Sequence, residues 1–452
     1  MMTWQMLQGD VLARLAELPD DHFHCVVTSP PYWGLRDYQT GTWSGGSAEC
    51  DHSQEPPRFN GPKQTRAQVS GHASLAEKNG RNLCQKCGAS RTDDQIGNEP
   101  TPGLYVERVV AVFREVRRVL RPDGVFWLNI GDSYHTDSPV RTRSSEAFSD
   151  TWDKSQTASR GGKRRSAAKM GTIKNKDLIG IPWMLALALR DDGWFLRAEN
   201  IWEKPNAMTE SVTDRPSRSH EQVFLFSKSS RYFYDRVAVM EKSVSGHRSG
   251  NKNRHPNHQP VGRSDVASSF PWHAEQRNRR TVWRIPTKSF KGAHFATYPP
   301  ALVSPCIKAG TSEHGCCPTC GAPWKRLIEK ERVATRPGKN SKLLLLPDND
   351  YAANASGQRQ HADGPYIAHN GMIFGNRDPG RHITKVKTIG WEPTCECGGE
   401  PVPCRVLDPF AGAGTTLLVA SRLGRHSVGI ELNPKYAAMA RARIKQDAPL
   451  FN

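Results

Sequence analysis

Between residues 404 and 446 the chain alternates strand and helix patterns so regularly that few architectures can hold it. CRVLDP reads as a buried strand, a Gly- and Ala-rich turn follows, and then TTLLVASRLG as a helix, HSVGIEL as a strand and PKYAAMARARI as a helix. The beginning of the chain repeats the pattern. TWQMLQGD is a short strand, VLARLAELPD a short helix, and HCVVTS a buried strand that runs into Pro30-Pro31. Further on, Val106, Val109, Val110, Phe113, Val116 and Leu120 recur at helical spacing, followed by the turn RPDG and the strand VFWLNI. The helix DLIGIPWMLALALR and the strands FLRAENIWEK and QVFLFSK continue it. Such alternation at both ends, with irregular material between, predicts an α/β fold: a parallel sheet carrying grafted modules. Ligands in such sheets bind beyond the carboxyl ends of the strands.

Two strand ends carry chemistry. In VLDPFAGAGTT the strand stops at Asp408, and the small residues let a ligand approach the backbone before a helix starts near Thr415. Twenty-three residues after Asp408, the next strand ends in Glu431, an acid placed for ribose hydroxyls. Together these point to an adenosine-type cofactor, and the absence of a G-K-S/T ending argues against a nucleoside-triphosphate loop. A packing turn in an ordinary α/β protein would share the glycines but has no use for the acid. The second end is VVTSPPYWGLRDY. Two prolines stop the ladder after Ser29, leaving the Ser29 hydroxyl and the Pro30 carbonyl to accept hydrogen bonds beside Tyr32 and Trp33. An acceptor pair next to an aromatic face suits the exocyclic amino group of a flipped-out base. A polyproline turn packed on two aromatics is the bland alternative.

Ser29-Pro30-Pro31-Tyr32 at one strand end and D-P-F-x-G-x-G-T at another resemble the amino-methylating DNA methyltransferases, and their order resembles the β group. The resemblance spans residues 1–38, 104–134, 178–235 and 291–446. It implies a Rossmann-like S-adenosylmethionine-dependent methyltransferase fold, with inserted zinc-binding and basic DNA-recognition segments. Asp408, Pro409, Phe410, Gly412, Gly414 and Thr415 match the family's cofactor loop, and Glu431 its ribose acid. Asp10 resembles the acid that contacts the adenine, and His294-Phe295 the segment that closes over the methionine end. Ser29, Pro30, Pro31 and Tyr32 match the catalytic motif. The implied reaction is direct methyl transfer from a sulfonium to an amine, with no covalent enzyme intermediate. Methylation of a ring carbon would need a cysteine nucleophile, and Pro305-Cys306 and Pro403-Cys404 match that motif in letters only.

On this basis residues 1–39 form one part of the catalytic half and 40–100 an inserted zinc-knuckle segment. Residues 101–236 continue the catalytic half, 237–290 carry target recognition, and 291–452 form the cofactor-binding half, with a zinc ribbon inserted at 306–400. The eleven cysteines include close pairs that metal binding explains better than disulfides in a reducing compartment. Cys50, His52, Cys84 and Cys87 make one four-ligand set, and Cys317, Cys320, Cys395 and Cys397 the other. Either zinc would be structural, since four protein ligands leave no open position.

A net charge of +18 favours a polyanionic partner, which for this family is double-stranded DNA. Residues 141–176 hold ten Lys/Arg against three acids and suit phosphate contact; residues 252–291 hold nine against two, interleaved with aromatics. No apolar run reaches membrane-spanning length and no signal-peptide pattern opens the chain, so a cytoplasmic protein with no membrane partner is expected. A cognate restriction enzyme is a candidate partner. By the same resemblance, Ser at the head of the motif implies the N4 amino group of cytosine as target, with the N6 amino group of adenine as the alternative. A zinc-bearing nucleic-acid binder without catalysis stays open as the other class, although it would not need both strand-end motifs.

Overall fold

The structure is a computed structural model that describes residues 4–34, 41–47, 49–52, 84, 86–92, 95–135, 172–242, 273–274, 276–288, 297–334, 366–367, 373–374 and 382–447. The chain divides into two compact units, one made of residues 1–233, 281–311 and 403–452, the other of 234–280 and 312–402. Within the described residues no helix is long and apolar enough to cross a membrane.

The first unit is built on an eight-stranded sheet. Its strands in chain order are β1 (Trp4–Gln8), β2 (Phe23–Thr28), β3 (Leu120–Ile130), β4 (Phe195–Glu203), β5 (His220–Ser227), β6 (Val282–Arg284), β7 (Arg405–Asp408) and β8 (His426–Glu431). Across the sheet they lie in the order β1-β8-β7-β2-β3-β5-β4-β6. β2 is buried at every position, His24 and Thr28 included, as a central strand covered on both faces must be. The helix α1 (Val11–Ala16) follows β1, and α2 (Pro102–Val119) precedes β3. Thr101 caps α2 by accepting from the Leu104 amide, and Pro102 occupies the first turn, where no amide partner is needed. Its buried stripe includes Tyr105, Val109, Val112, Phe113 and Val116, all shielded from water. Burying a side chain such as Phe113 contributes about 1.5–3 kcal/mol.

Three expectations need correction. The sheet is mixed, because β5 runs antiparallel to both β3 and β4. Residues 204–219 between β4 and β5 contain no helix to cross the sheet, so β5 can only return alongside. RPDG does not end a helix-to-strand unit cleanly: Phe23 pairs with Leu120 but Cys25 with Val125, so the turn survives as a bulge inside β3. Finally, residues 300–310, unassigned from sequence, form α3 on the sheet's flank, a helix Pro300–Gly310 with Pro305 inside it. The second compact unit takes up the chain again at residue 312. Residues 234–280 belong to the second unit, while β6 joins the main sheet.

The second unit is organised by a long antiparallel pair, Lys325–Ala334 with His382–Glu392, whose register shifts between Leu327 and Ile328. Arg326 holds it to the preceding segment through Asp235 at 2.9 Å and lies over the Trp391 ring at 4.2 Å.

Candidate active site

β2 and β7 are parallel neighbours at the point where the strand order changes direction, and each ends in one of the two motifs. They are tied directly. The Thr28 hydroxyl donates to Asp408 Oδ1 at 2.6 Å, the Tyr298 hydroxyl to Asp408 Oδ2 at 2.8 Å, and the Phe410 amide to Oδ1 at 3.1 Å. Asp408 is fully buried, and burial pushes its carboxyl above the usual range against the pull of these donors. Its place in the site is thus to brace the loop from within. Tyr298, which also meets the Thr416 hydroxyl at 2.5 Å, was not legible in sequence, although it lies in the same GAHFATYPP segment as the expected closing residues. His294 and Phe295 themselves lie outside the described residues.

The glycines divide their work. At Gly412, with φ of +50°, an added Cβ would meet nothing within 4 Å, so the turn is open on that side. At Gly414, with φ of +72°, it would meet Ala440 Cβ at 2.9 Å, so this glycine lets the helix Thr415–Arg422 pack closely on Pro434–Asp447. Thr415 is buried and receives the Arg443 guanidinium at 2.9 Å. Phe410 sets its ring edge-on to Phe113 with centroids 6.4 Å apart. Pro409 links Asp408 to this ring.

Glu431 Oε2 accepts from the Gly412 amide at 2.9 Å and Oε1 from the Asn433 amide at 2.8 Å. Burial raises this carboxyl to about 7 despite those two amides. The Gly9 amide donates to the Glu431 carbonyl at 3.0 Å, which brings Asp10 to the same strand edge. Asp10 caps α1, accepting from the Ala13 amide at 3.0 Å. An open glycine turn flanked by a buried acid and an N-capping acid is a donor and acceptor set that fits a nucleoside with a charged tail.

At the other motif, the Ser29 hydroxyl donates to the Tyr32 hydroxyl oxygen at 3.3 Å, and Tyr32 donates to Glu221 Oε2 at 2.8 Å. The Pro31 carbonyl is engaged by the Tyr105 hydroxyl at 2.9 Å. Tyr32 lies against Gly131, where an added Cβ would come within 2.5 Å of Cε2. Burial, then the neighbouring Glu221 charge, lifts the Tyr32 phenol well above its ordinary value. Trp33 does not share this role: it is 3% exposed, packed in the core, with its indole N–H donating to the Glu99 carbonyl at 2.9 Å. An apolar strand end pulls the larger ring inward and leaves Tyr32 as the aromatic face.

Both cysteine sets converge. In the first, Cys50, His52, Cys84 and Cys87 place their ligand atoms within 4.8 Å of one another, as do Cys317, Cys320, Cys395 and Cys397 in the second. The Cys50 and Cys84 sulfurs are 3.7 Å apart, and Cys87 Sγ is 3.3 Å from His52 Nδ1. Tetrahedral zinc with bonds near 2.3 Å to sulfur separates two sulfurs by about 3.8 Å. The two knuckles share one turn. Gly88 and Gly321 donate to the carbonyls of Cys84 and Cys317 at 2.8 and 2.9 Å, and the Cys84 and Cys317 amides donate to Ala89 and Ala322 at 2.7 and 2.9 Å. Cys306 and Cys404 are buried, which suits neither as a nucleophile toward DNA.

Comparison with known proteins identifies the family. The family described as DNA methylase (N6_N4_Mtase) matches residues 23–317 and 405–442. The type II methyltransferase M.XycI of Xanthomonas campestris pv. cyanopsidis is 32% identical, with 97% of this chain and 87% of that protein covered. M.Cfr9I of Citrobacter freundii is 31% identical over the same shares. M.SfiI of Streptomyces fimbriatus is 36% identical, covering 95% of this chain and 88% of its own. The chain belongs to the N6/N4 DNA methylase family, the amino-methylating DNA methyltransferases.

Proposed function

We propose that this DNA methyltransferase transfers a methyl group from S-adenosylmethionine to the exocyclic N4 amino group of cytosine at a specific sequence in duplex DNA. The observation that carries the reading is the pairing of Ser29 and Tyr32 at the end of β2 with the Asp408–Glu431 turn beside it, joined through Thr28 and Asp408. The open backbone at Gly412 and the Glu431 carboxylate would hold the ribose end of the cofactor, with Asp10 toward the adenine. When bound, the cofactor supplies an electrophilic methyl on a sulfonium. The chain then has to position the amine in line, and Ser29 Oγ and the Pro30 carbonyl accept its hydrogens so that the nitrogen lone pair faces the methyl. Tyr32 replaces the stacking that the base loses on leaving the duplex.

Both cysteine sets are further proposed to hold structural zinc, on the strength of ligand atoms that converge within 4.8 Å of one another and of the knuckle turn the two have in common. Target recognition is assigned to the basic residues near 237–290, and by likeness to type II relatives a restriction enzyme of matching specificity is the partner class. Methylating a mixed-sequence duplex with purified protein, then separating the nucleosides by mass spectrometry, tests the target. N4-methylcytosine is expected, while N6-methyladenine as the main product overturns the choice of base.

A further inference from the structure

Behind Tyr32 lies a polar chain that base stacking does not require. Ser29 Oγ donates to the Tyr32 oxygen at 3.3 Å, and Tyr32 donates to Glu221 Oε2 at 2.8 Å. Asn129 Nδ2 donates to the same carboxylate oxygen at 3.1 Å and to the Gln222 carbonyl at 3.1 Å, which fixes the amide. Lys204 pairs with Glu221 Oε1, and its ammonium lies 4.3 Å from the Trp202 ring centroid. Glu221 and Lys204 are mostly buried, with side chains 16% and 18% exposed. An ion pair so placed contributes little net stability, because desolvation offsets its attraction. The Ser29 and Tyr32 hydroxyls donate in turn toward Glu221, with Asn129 Oδ1 a more distant second acceptor for Tyr32 at 3.4 Å, and a hydroxyl that donates keeps its own lone pairs to accept from an incoming donor.

Methylation of a neutral amine leaves one proton too many on the nitrogen, and that proton has to go somewhere. We infer that Glu221 is its terminal acceptor, reached through the Ser29 and Tyr32 hydroxyls. The inference rests on the proposed role of Ser29 as an acceptor from the target amine. In the step, the nitrogen forms a bond to the methyl carbon while the carbon–sulfur electron pair stays with sulfur, giving a neutral thioether. Ser29 Oγ takes a proton from the nitrogen and passes its own to the Tyr32 oxygen. Tyr32 passes its own to Glu221, which becomes a neutral carboxylic acid. Charge balances: the cationic product amine and the carboxylate become a neutral methylated base and a neutral acid. Tyr32 suits the middle position because burial and the Glu221 charge keep its phenol protonated. Lys204 and Asn129 hold the Glu221 carboxylate in place beside the Tyr32 hydroxyl.

Three variants test this: Glu221→Gln, Tyr32→Phe and the double variant. Single-turnover methyl transfer is measured with saturating S-adenosylmethionine and duplex, in light and heavy water. Each single variant should slow transfer by on the order of 100-fold, the low end for general-base assistance. The double variant should be no slower than the slower single, since one broken link already stops the relay. Cofactor and duplex affinity should stay within a few-fold, and the multi-proton solvent isotope effect should shrink in all three. In the ligand-free protein, ring-labelled tyrosine NMR should show the Tyr32 resonance move on Glu221→Gln. A Glu221→Gln rate within about threefold of wild type, rate losses that multiply in the double variant, or an unmoved Tyr32 resonance overturns the relay. Tyr32→Phe deletes one oxygen, so it decides the question even if Glu221→Gln folds poorly. Nucleoside analysis of the same reactions separates the two claims: N6-methyladenine would overturn the cytosine reading and leave the relay standing, since either amine has a proton to lose.

Discussion

Tyr32 and Glu431 are the residues on which the site's chemistry turns, and both are set by their neighbours. The Tyr32 ring has its place because residue 131 has no side chain. Gly131→Ala would put a methyl 2.5 Å from Cε2, and the ring must shift. We expect methyl transfer to fall at least tenfold with a stability loss of only about 1–3 kcal/mol, read from single-turnover rates and thermal melts. Glu431 has its carboxyl raised to about 7 by burial. Ribose hydroxyls donate to the ionised form, so cofactor affinity should fall as pH drops below 7 and level off above it. Calorimetry between pH 5.5 and 8.5 checks this, and Glu431→Gln should flatten the profile. The stability effect has the opposite sign. A carboxyl raised on folding adds stability at low pH that is lost as pH rises through about 7.

At the scale of elements, the knuckle turns are the parts whose order depends on something outside the core. The two Cys-x-x-Cys-Gly turns close around sulfurs, and Trp43 stacks on His52 with centroids 5.1 Å apart. Metal analysis of the purified chain should find two zinc ions. Replacing Cys84 and Cys87 with Ser should leave one, and replacing Cys317 and Cys320 as well should leave none; full occupancy in the second variant would contradict both sites. The cysteine spacing, the two strand-end motifs and most strands and helices were legible in the sequence, because period and turn chemistry are local. β5's antiparallel course was not, since a strand's direction depends on how its connection crosses the sheet. The helix Pro300–Gly310 was hidden by its own prolines, which read as breakers although the first sits harmlessly at the start. Glu221 and Lys204 gave no motif signal, because only the pairing of β4 with β5 brings Lys204 and Glu221 beside each other.

For the whole molecule, a net charge of +18 and the basic segments imply that phosphate contacts carry much of DNA binding. Nonspecific duplex affinity should fall by roughly 10³–10⁵ between 50 and 200 mM salt if six to ten phosphates are engaged. Asp408→Ala should leave that binding largely intact while removing cofactor binding, because the carboxylate braces the loop from within the sheet and not from a DNA-facing surface. Fluorescence anisotropy with labelled duplex and calorimetry with the cofactor separate the two. The central claim, amino methylation of cytosine at the Ser29–Tyr32 motif, is tested most directly by the product itself. Duplex DNA methylated by the purified protein, digested and resolved by mass spectrometry, should yield N4-methylcytosine, and Ser29→Ala should reduce it sharply. N6-methyladenine in its place would contradict the choice of base, and 5-methylcytosine would contradict the mechanism.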